Sequence, residues 1–128
     1  MRTTAREVLF KIVFASQFNE IGELKSALFK AEKLDDNDKK YCEDLLKIID
    51  EHKAEFAETI DKKSRLFPEQ SLFPADRSVL FISLAEIKYY GIPVAVSINE
   101  AANISSKYSS EKSASFVSGI LSEICKEL

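Results

Sequence analysis

Glycine and proline are scarce in this chain, three of each in 128 residues. So few turn-formers disfavour a many-stranded sheet and point to helices. Cysteine is scarcer still. Cys42 and Cys125 stand far apart with no C-x-x-C pair, which reads as two reduced thiols of a cytosolic protein rather than a disulfide or a metal pair. No apolar run is long enough to cross a bilayer, so no membrane partner is expected. Arg6 and Lys11 interrupt the apolar residues near the N-terminus, so no secretory leader is expected there. Walker loops, G-x-G-x-x-G and nucleophile elbows are missing from the sequence. The lone histidine, His52, falls on the inward-leaning side of a helical pattern and reads as structural. No catalytic residue, cofactor or metal is expected from these patterns, and the protein is expected to work through its outer surface.

What the chain does have is helical periodicity. Its length suits one domain with a real core, and 45% of its residues are hydrophobic. A first helix is expected from about Thr3 to Phe18, with Thr3 or Thr4 and Glu7 forming a capping box. Its inward stripe is Ala5, Val8, Leu9, Ile12, Val13 and Ser16; Phe10 and Phe14 widen it, and Arg2, Arg6 and Lys11 face water. A short helix follows over about Glu23–Glu32. The acids of L-D-D-N-D (Leu34 to Asp38) mark the start of a third. It runs to about Ile60, or splits near His52, on a stripe of Tyr41, Leu45, Ile48, Ile49, His52 and Phe56. Pro68 and Pro74 punctuate an irregular connector. A helix from Pro74 to about Tyr89 is apolar on nearly every side, as expected of a helix enclosed by its neighbours. Gly91 ends it, and Pro93 opens another with Val96, Ile98, Ala101, Ala102 and Ser105 inward. The serine-rich stretch Ser105 to Ser115 reads as a structured loop, and a last helix covers about Ser113–Glu127.

The net charge of −3 argues against bulk electrostatic binding of nucleic acid, but the charge is unevenly spread. Arg2, Arg6 and Lys11 outnumber Glu7 at the N-terminus, whereas residues 20–63 are acidic. Arg2 and Arg6 sit on successive turns of one helix face, a spacing that suits phosphate. Tyr108, Lys107 and Lys112 place an aromatic and two cations near the last loop, the combination that holds single-stranded RNA.

Six segments together resemble the transcription antitermination factor NusB family: A-R-E-V-L-F (Ala5 to Phe10), L-D-D-N-D, D-R-S-V-L-F-I-S-L-A-E-I (Asp76 to Ile87), I-P-V-A-V-S-I-N-E-A (Ile92 to Ala101), S-K-Y (Ser106 to Tyr108) and F-V-S-G-I-L (Phe116 to Leu121). The resemblance implies an all-α compact bundle of about seven helices in two small subdomains, about residues 1–66 and 67–128. It also implies a non-catalytic, cytoplasmic adaptor. Such proteins bind boxA-type single-stranded RNA of ribosomal RNA leaders together with the ribosomal protein that doubles as NusE, and join the RNA polymerase antitermination complex. Carried over residue by residue, the RNA-binding positions are Arg2, Arg6, Tyr108, Glu111, Lys112, Ser113 and Ser115, with Tyr108 stacking. The NusE-docking positions are Asp76 and Arg77, at the start of the helix that opens with Pro74. The chain departs from the family pattern at Thr3 and Thr4, where arginines often stand, at Ser118 for the usual Asn, and at Ser122 for Asp. Two alternatives stay open. One is an interaction module of this fold without RNA binding; the other is the NusB-like accessory domain of an RNA cytosine methyltransferase, for which no Rossmann segment is present. Self-pairing through the Phe10 and Phe14 face is a further arrangement the resemblance allows.

Overall fold

The structure is a computed structural model that describes residues 2–68 and 71–128. Positions 69 and 70 of the expected connector lie outside the described residues. Among the described residues there are six α-helices and no strand: α1 (Arg2–Ser16), α2 (Gly22–Ala31), α3 (Asp36–Ser64), α4 (Pro74–Tyr89), α5 (Val94–Tyr108) and α6 (Glu111–Cys125). The all-α expectation holds, with six helices in place of about seven. The difference lies at His52, where φ −116° and ψ 16° kink α3 without ending it. Neither proline nor glycine sits there, so the bend is a tertiary effect. The His52 ring stacks on Tyr89 of α4 at 3.9 Å between centroids.

α4 is the central helix. Every residue from Ser78 to Glu86 is buried, and the helix packs against α1, α3, α5 and α6. No helix among those described is long and apolar enough to cross a membrane. Leu80 and Leu84 of α4, Leu9 and Ile12 of α1, Leu45 and Phe56 of α3, and Ile120 and Leu121 of α6 belong to one continuous buried cluster. α2 buries no residue fully and leans on α1.

The helix ends follow local chemistry. Asp35 caps α3 by accepting the Asp38 amide at 2.8 Å, as the L-D-D-N-D run suggests. Gly91, at φ +70°, follows α4 in the left-handed region that glycine occupies without strain. The serine stretch is not a loop. α5 runs on to Tyr108, and α6 starts at Glu111 because the Ser110 hydroxyl accepts the Ser113 amide at 3.0 Å. A serine run that could have stayed open instead supplies a cap, and a two-residue break joins two helices that pack closely on each other. At the start of α1 the expected capping box is absent. The Thr3 hydroxyl donates to Glu100 of α5 at 3.2 Å, and Glu7 turns outward. In α5, Val96 is exposed and Ser97 takes the inward position.

Candidate nucleic-acid interface

Polar residues of three motif segments converge inside the protein. Glu86, the one acid in the enclosed stretch of α4, is 1% exposed. Its Oε2 accepts from Arg6 Nε at 2.7 Å and from the Tyr41 hydroxyl at 2.6 Å, and its Oε1 accepts from the Ser97 hydroxyl at 2.8 Å. Arg6 also lies 3.6 Å from Glu100. A buried carboxylate needs this much company, because an ion taken out of water costs several kcal/mol unless it is paired and hydrogen-bonded. Burial alone would lower the pKa of Arg6, but the charge and hydrogen bond of Glu86, together with Tyr41 and Glu100, outweigh it and hold the guanidinium above its ordinary value. Burial, then the charge of Glu86, pushes the Tyr41 phenol well up, so Tyr41 stays a donor.

Arg6 therefore does not face water as its position on the sequence pattern suggested; it is 4% exposed. Its side chain pins α1 to α4, and phosphate has no open path to it. Arg2, one turn earlier, is half-buried at the rim. Its guanidinium lies 4.2 Å over the Tyr41 ring, and Nε is 3.4 Å from Asp38.

Opposite this edge of α1 is a second cluster. A helix turns about 100° per residue, which puts Glu7 about 100° round from Arg6 and Lys11 opposite Arg2. There Tyr108, at the end of α5, rests on Phe10 with ring centroids 5.2 Å apart and keeps 37% of its surface exposed. Lys11 and Lys107 place their ammonium groups 5.8 and 5.4 Å from its ring centre. The Tyr108 hydroxyl and Lys107 Nζ both donate to Glu7 Oε1, each at 2.6 Å. Burial tends to raise the Glu7 pKa, yet the hydrogen bonds from Lys107 and Tyr108 prevail and hold it below the ordinary value. The aromatic row continues along α1 through Phe14 and Phe18. A hollow of about 400 Å³ lies between Phe10, Lys11, Phe14, Ala75 and Tyr108.

Just past Tyr108 the first turn of α6 carries the remaining expected positions. Glu111 is exposed and accepts from the Ser106 hydroxyl; Lys112 and Ser115 are exposed. Ser113 is buried, its amide tied to the cap and its hydroxyl 2.9 Å from that of Ser109. Of the seven sequence-derived positions, Tyr108, Glu111, Lys112 and Ser115 thus share one end of the bundle. Arg2 sits across α1 from them, and Arg6 and Ser113 point inward.

The two docking positions differ from each other. Asp76 is 1% exposed. Its Oδ2 accepts the Phe73 amide at 3.4 Å at the start of α4, while its Oδ1 has no hydrogen-bond partner. Arg77 is the outward neighbour, 3.4 Å from Asp61. Burial raises the Asp76 pKa, and the Phe73 amide offsets this only in part. An acid whose folded pKa is raised loses its proton first in the unfolded chain, so its charge costs stability as pH climbs past the ordinary carboxylate range. We expect Asp76→Asn to be more stable than wild type at neutral pH and equal to it near pH 3, by denaturant titration at both pH values. A variant less stable at pH 7 would show that the carboxylate charge helps the helix end.

Glu86, Ser97 and Glu100 were not picked out from the sequence, Tyr41 was read only as part of an inward stripe, and the clamp role of Glu7 was not read at all. One signal was present: a single acid within the otherwise uncharged, enclosed stretch Ser78–Glu86 demands a buried partner.

The structure is that of a small all-α protein whose interior polar groups hold helices together and whose Tyr108, Lys11 and Lys107 are turned out at one end. The chain belongs to the NusB family, which matches residues 2–126. It is 35% identical to the transcription antitermination protein NusB of Methylacidiphilum infernorum, over 98% of this chain and 91% of that protein. It resembles the solved structure of T. maritima NusB with a TM-score of 0.85 and 29% identity, covering 99% of this chain and 92% of that one. It shares its fold, at TM-score 0.85 and 22% identity, with a chain from a crystal structure of antitermination factors NusB and NusE in complex with dsRNA, covering 99% and 97% of the two chains.

Proposed function

We propose that this protein is a non-catalytic, cytoplasmic RNA-binding adaptor of transcription antitermination. It takes up boxA-type single-stranded RNA of ribosomal RNA leaders together with the NusE ribosomal protein, and carries both into the RNA polymerase antitermination complex. The observation that carries this reading is the half-exposed Tyr108 ring, backed by Phe10 and flanked by Lys11 and Lys107. Aromatic rings stack any base, and nearby cations track the backbone. Lys112 and Ser115 on α6 and Arg2 at the rim extend the path. Arg6 and Ser113 support it from behind. Arg77, with Asp76 shaping the helix start beneath it, marks the edge where the basic ribosomal partner docks. The fold shared with a chain crystallised with NusE and dsRNA is in keeping with this.

So few cations neutralise few phosphates, so the chain alone binds weakly and in a salt-dependent way. A basic partner that widens the same surface makes up the difference. Tyr108→Ala is expected to weaken binding of a boxA-type oligonucleotide about 5- to 100-fold, the equivalent of one lost stacking contact, with the helical circular dichroism unchanged. Fluorescence anisotropy with and without the NusE-like protein reads this. Unchanged affinity in the variant would remove Tyr108 from the RNA site. If the wild type binds its ribosomal partner but no RNA even at low salt, the chain is an interaction module of this fold that has lost RNA binding, a reading the burial of Arg6 favours. Self-pairing over the Phe14 edge would cover the Tyr108 hollow, and would appear as a doubled mass that RNA dissociates.

A further inference from the structure

Glu7 is placed oddly for a protein that is to bind a polyanion. It projects from α1 into the face just assigned to RNA, and one of its oxygens takes hydrogen bonds from both Lys107 and Tyr108. Its side chain is 22% exposed and that of Lys107 is 62% exposed, so the pair lies at the surface. The three groups, with Thr4, Lys11 and Glu32, line a hollow of about 240 Å³ next to the Tyr108 ring. The donors present there, an ammonium, a phenol and a second ammonium, are those that would hold a phosphate.

We infer that Glu7 occupies the place of an RNA backbone phosphate, and so sets how tightly and how indiscriminately this face takes up RNA. The inference rests on the RNA-binding reading above. A base stacked on Tyr108 carries its phosphate within one nucleotide of Lys107. To reach that lysine the phosphate displaces the Glu7 carboxylate, which swings to water; no covalent bond changes. Until then Lys107 is neutralised, and a stray polyanion finds one cation fewer. The arrangement trades affinity for selectivity: only an RNA that also gains the stacking contact, or that arrives with a basic partner, displaces the carboxylate. A purely structural clamp predicts the reverse, because loosening Tyr108 would weaken RNA binding.

The test is the salt dependence of binding of a single-stranded boxA-type oligonucleotide and of oligo-uridine, by anisotropy, for wild type, Glu7→Gln, Lys107→Met and the double variant, with thermal melts as fold controls. Glutamine keeps an acceptor for Tyr108 but drops the charge. Glu7→Gln is expected to bind both RNAs tighter, with oligo-uridine gaining at least as much as the boxA oligonucleotide. Its log–log salt slope should steepen by about 0.7, the value for one more phosphate neutralised on a single strand. On dilution from about 0.2 M to about 0.05 M salt it should then gain about 2.6-fold more than wild type does. In the Lys107→Met background the Glu7→Gln gain should vanish. Weaker binding, an unchanged slope, or a gain that survives loss of Lys107 would each overturn the inference while leaving RNA binding itself intact. Absence of binding by wild type and Glu7→Gln alike, with and without the ribosomal partner, would overturn the RNA-binding reading and this inference with it.

Discussion

Arg6→Ala is expected to lose about 3–5 kcal/mol of folding stability, because it leaves Glu86 charged and buried with its strongest partner gone. Arg6 is 4% exposed and its Nε lies 2.7 Å from the carboxylate, so water cannot replace it without opening the α1–α4 contact. Small domains hold only about 5–15 kcal/mol in total, and a loss of this size should lower the melting temperature by about 10–20 °C. Arg2→Ala is the contrasting control. Arg2 is a partly exposed rim residue, and its removal should cost about 1 kcal/mol or less. The double change Arg6→Met with Glu86→Leu should recover most of the loss, since apolar pairs often replace buried ion pairs at little cost, leaving the Tyr41 and Ser97 hydroxyls to be resatisfied. Urea denaturation of the four proteins decides the matter. If Arg6→Ala melts as wild type but loses RNA affinity, Arg6 works at the surface and the buried cluster described here is wrong. RNA measurements on Arg6 variants are interpretable only beside such melts, because unfolding would imitate loss of an RNA contact.

Phe56→Ala is the second large effect, about 3–5 kcal/mol, the usual range for emptying a fully buried aromatic site. Phe56 has no exposed surface and sits just past the kink in α3. Its ring meets Phe81 of α4 at 6.2 Å and Tyr89 at 6.0 Å, with His52 at 5.9 Å. These contacts fasten the second half of α3 to the central helix, and a cavity there would release it. A loss below about 1.5 kcal/mol by the same urea measurement would mean that the kinked half packs loosely and collapses into the gap. His52→Ala should cost much less, because its ring is half-exposed and packs beside Tyr89 and Phe56 without being enclosed.

Much of the fold was legible because period and punctuation agree with the tertiary arrangement. Pro74, Gly91 and Pro93 bracket α4 and open α5 where expected, and Asp35 caps α3. Leu9, Ile12, Leu45 and Phe56 are buried as their stripes suggest. The readings that failed concern polar groups, for which periodicity is silent. Ser110 capped a helix where a loop was expected, Glu7 served α5 in place of its own helix end, and Ser97 displaced Val96 from the inward face because Glu86 needed a donor. The candidate site was legible at Tyr108 and Lys107, an aromatic with a cation beside it in sequence, whereas Lys11 reaches the same ring only through the packing of α1 on α5. It was not legible at Arg6, Ser113 and Asp76, whose short-range context looks like surface.

By itself the chain's order of apolar residues settles which segments are helices and that the one from Pro74 must be enclosed, because burying its apolar sides is the largest favourable term open to it. Only the packed structure decides which charges are buried. Arg6 and Glu7 are neighbours in sequence, yet one closes an ion pair in the core and the other clamps the outer face. Their positions on α1 differ by about 100° of rotation, and what each rotation meets, Glu86 or Lys107 and Tyr108, is set by helices 80 and 100 residues further along the chain.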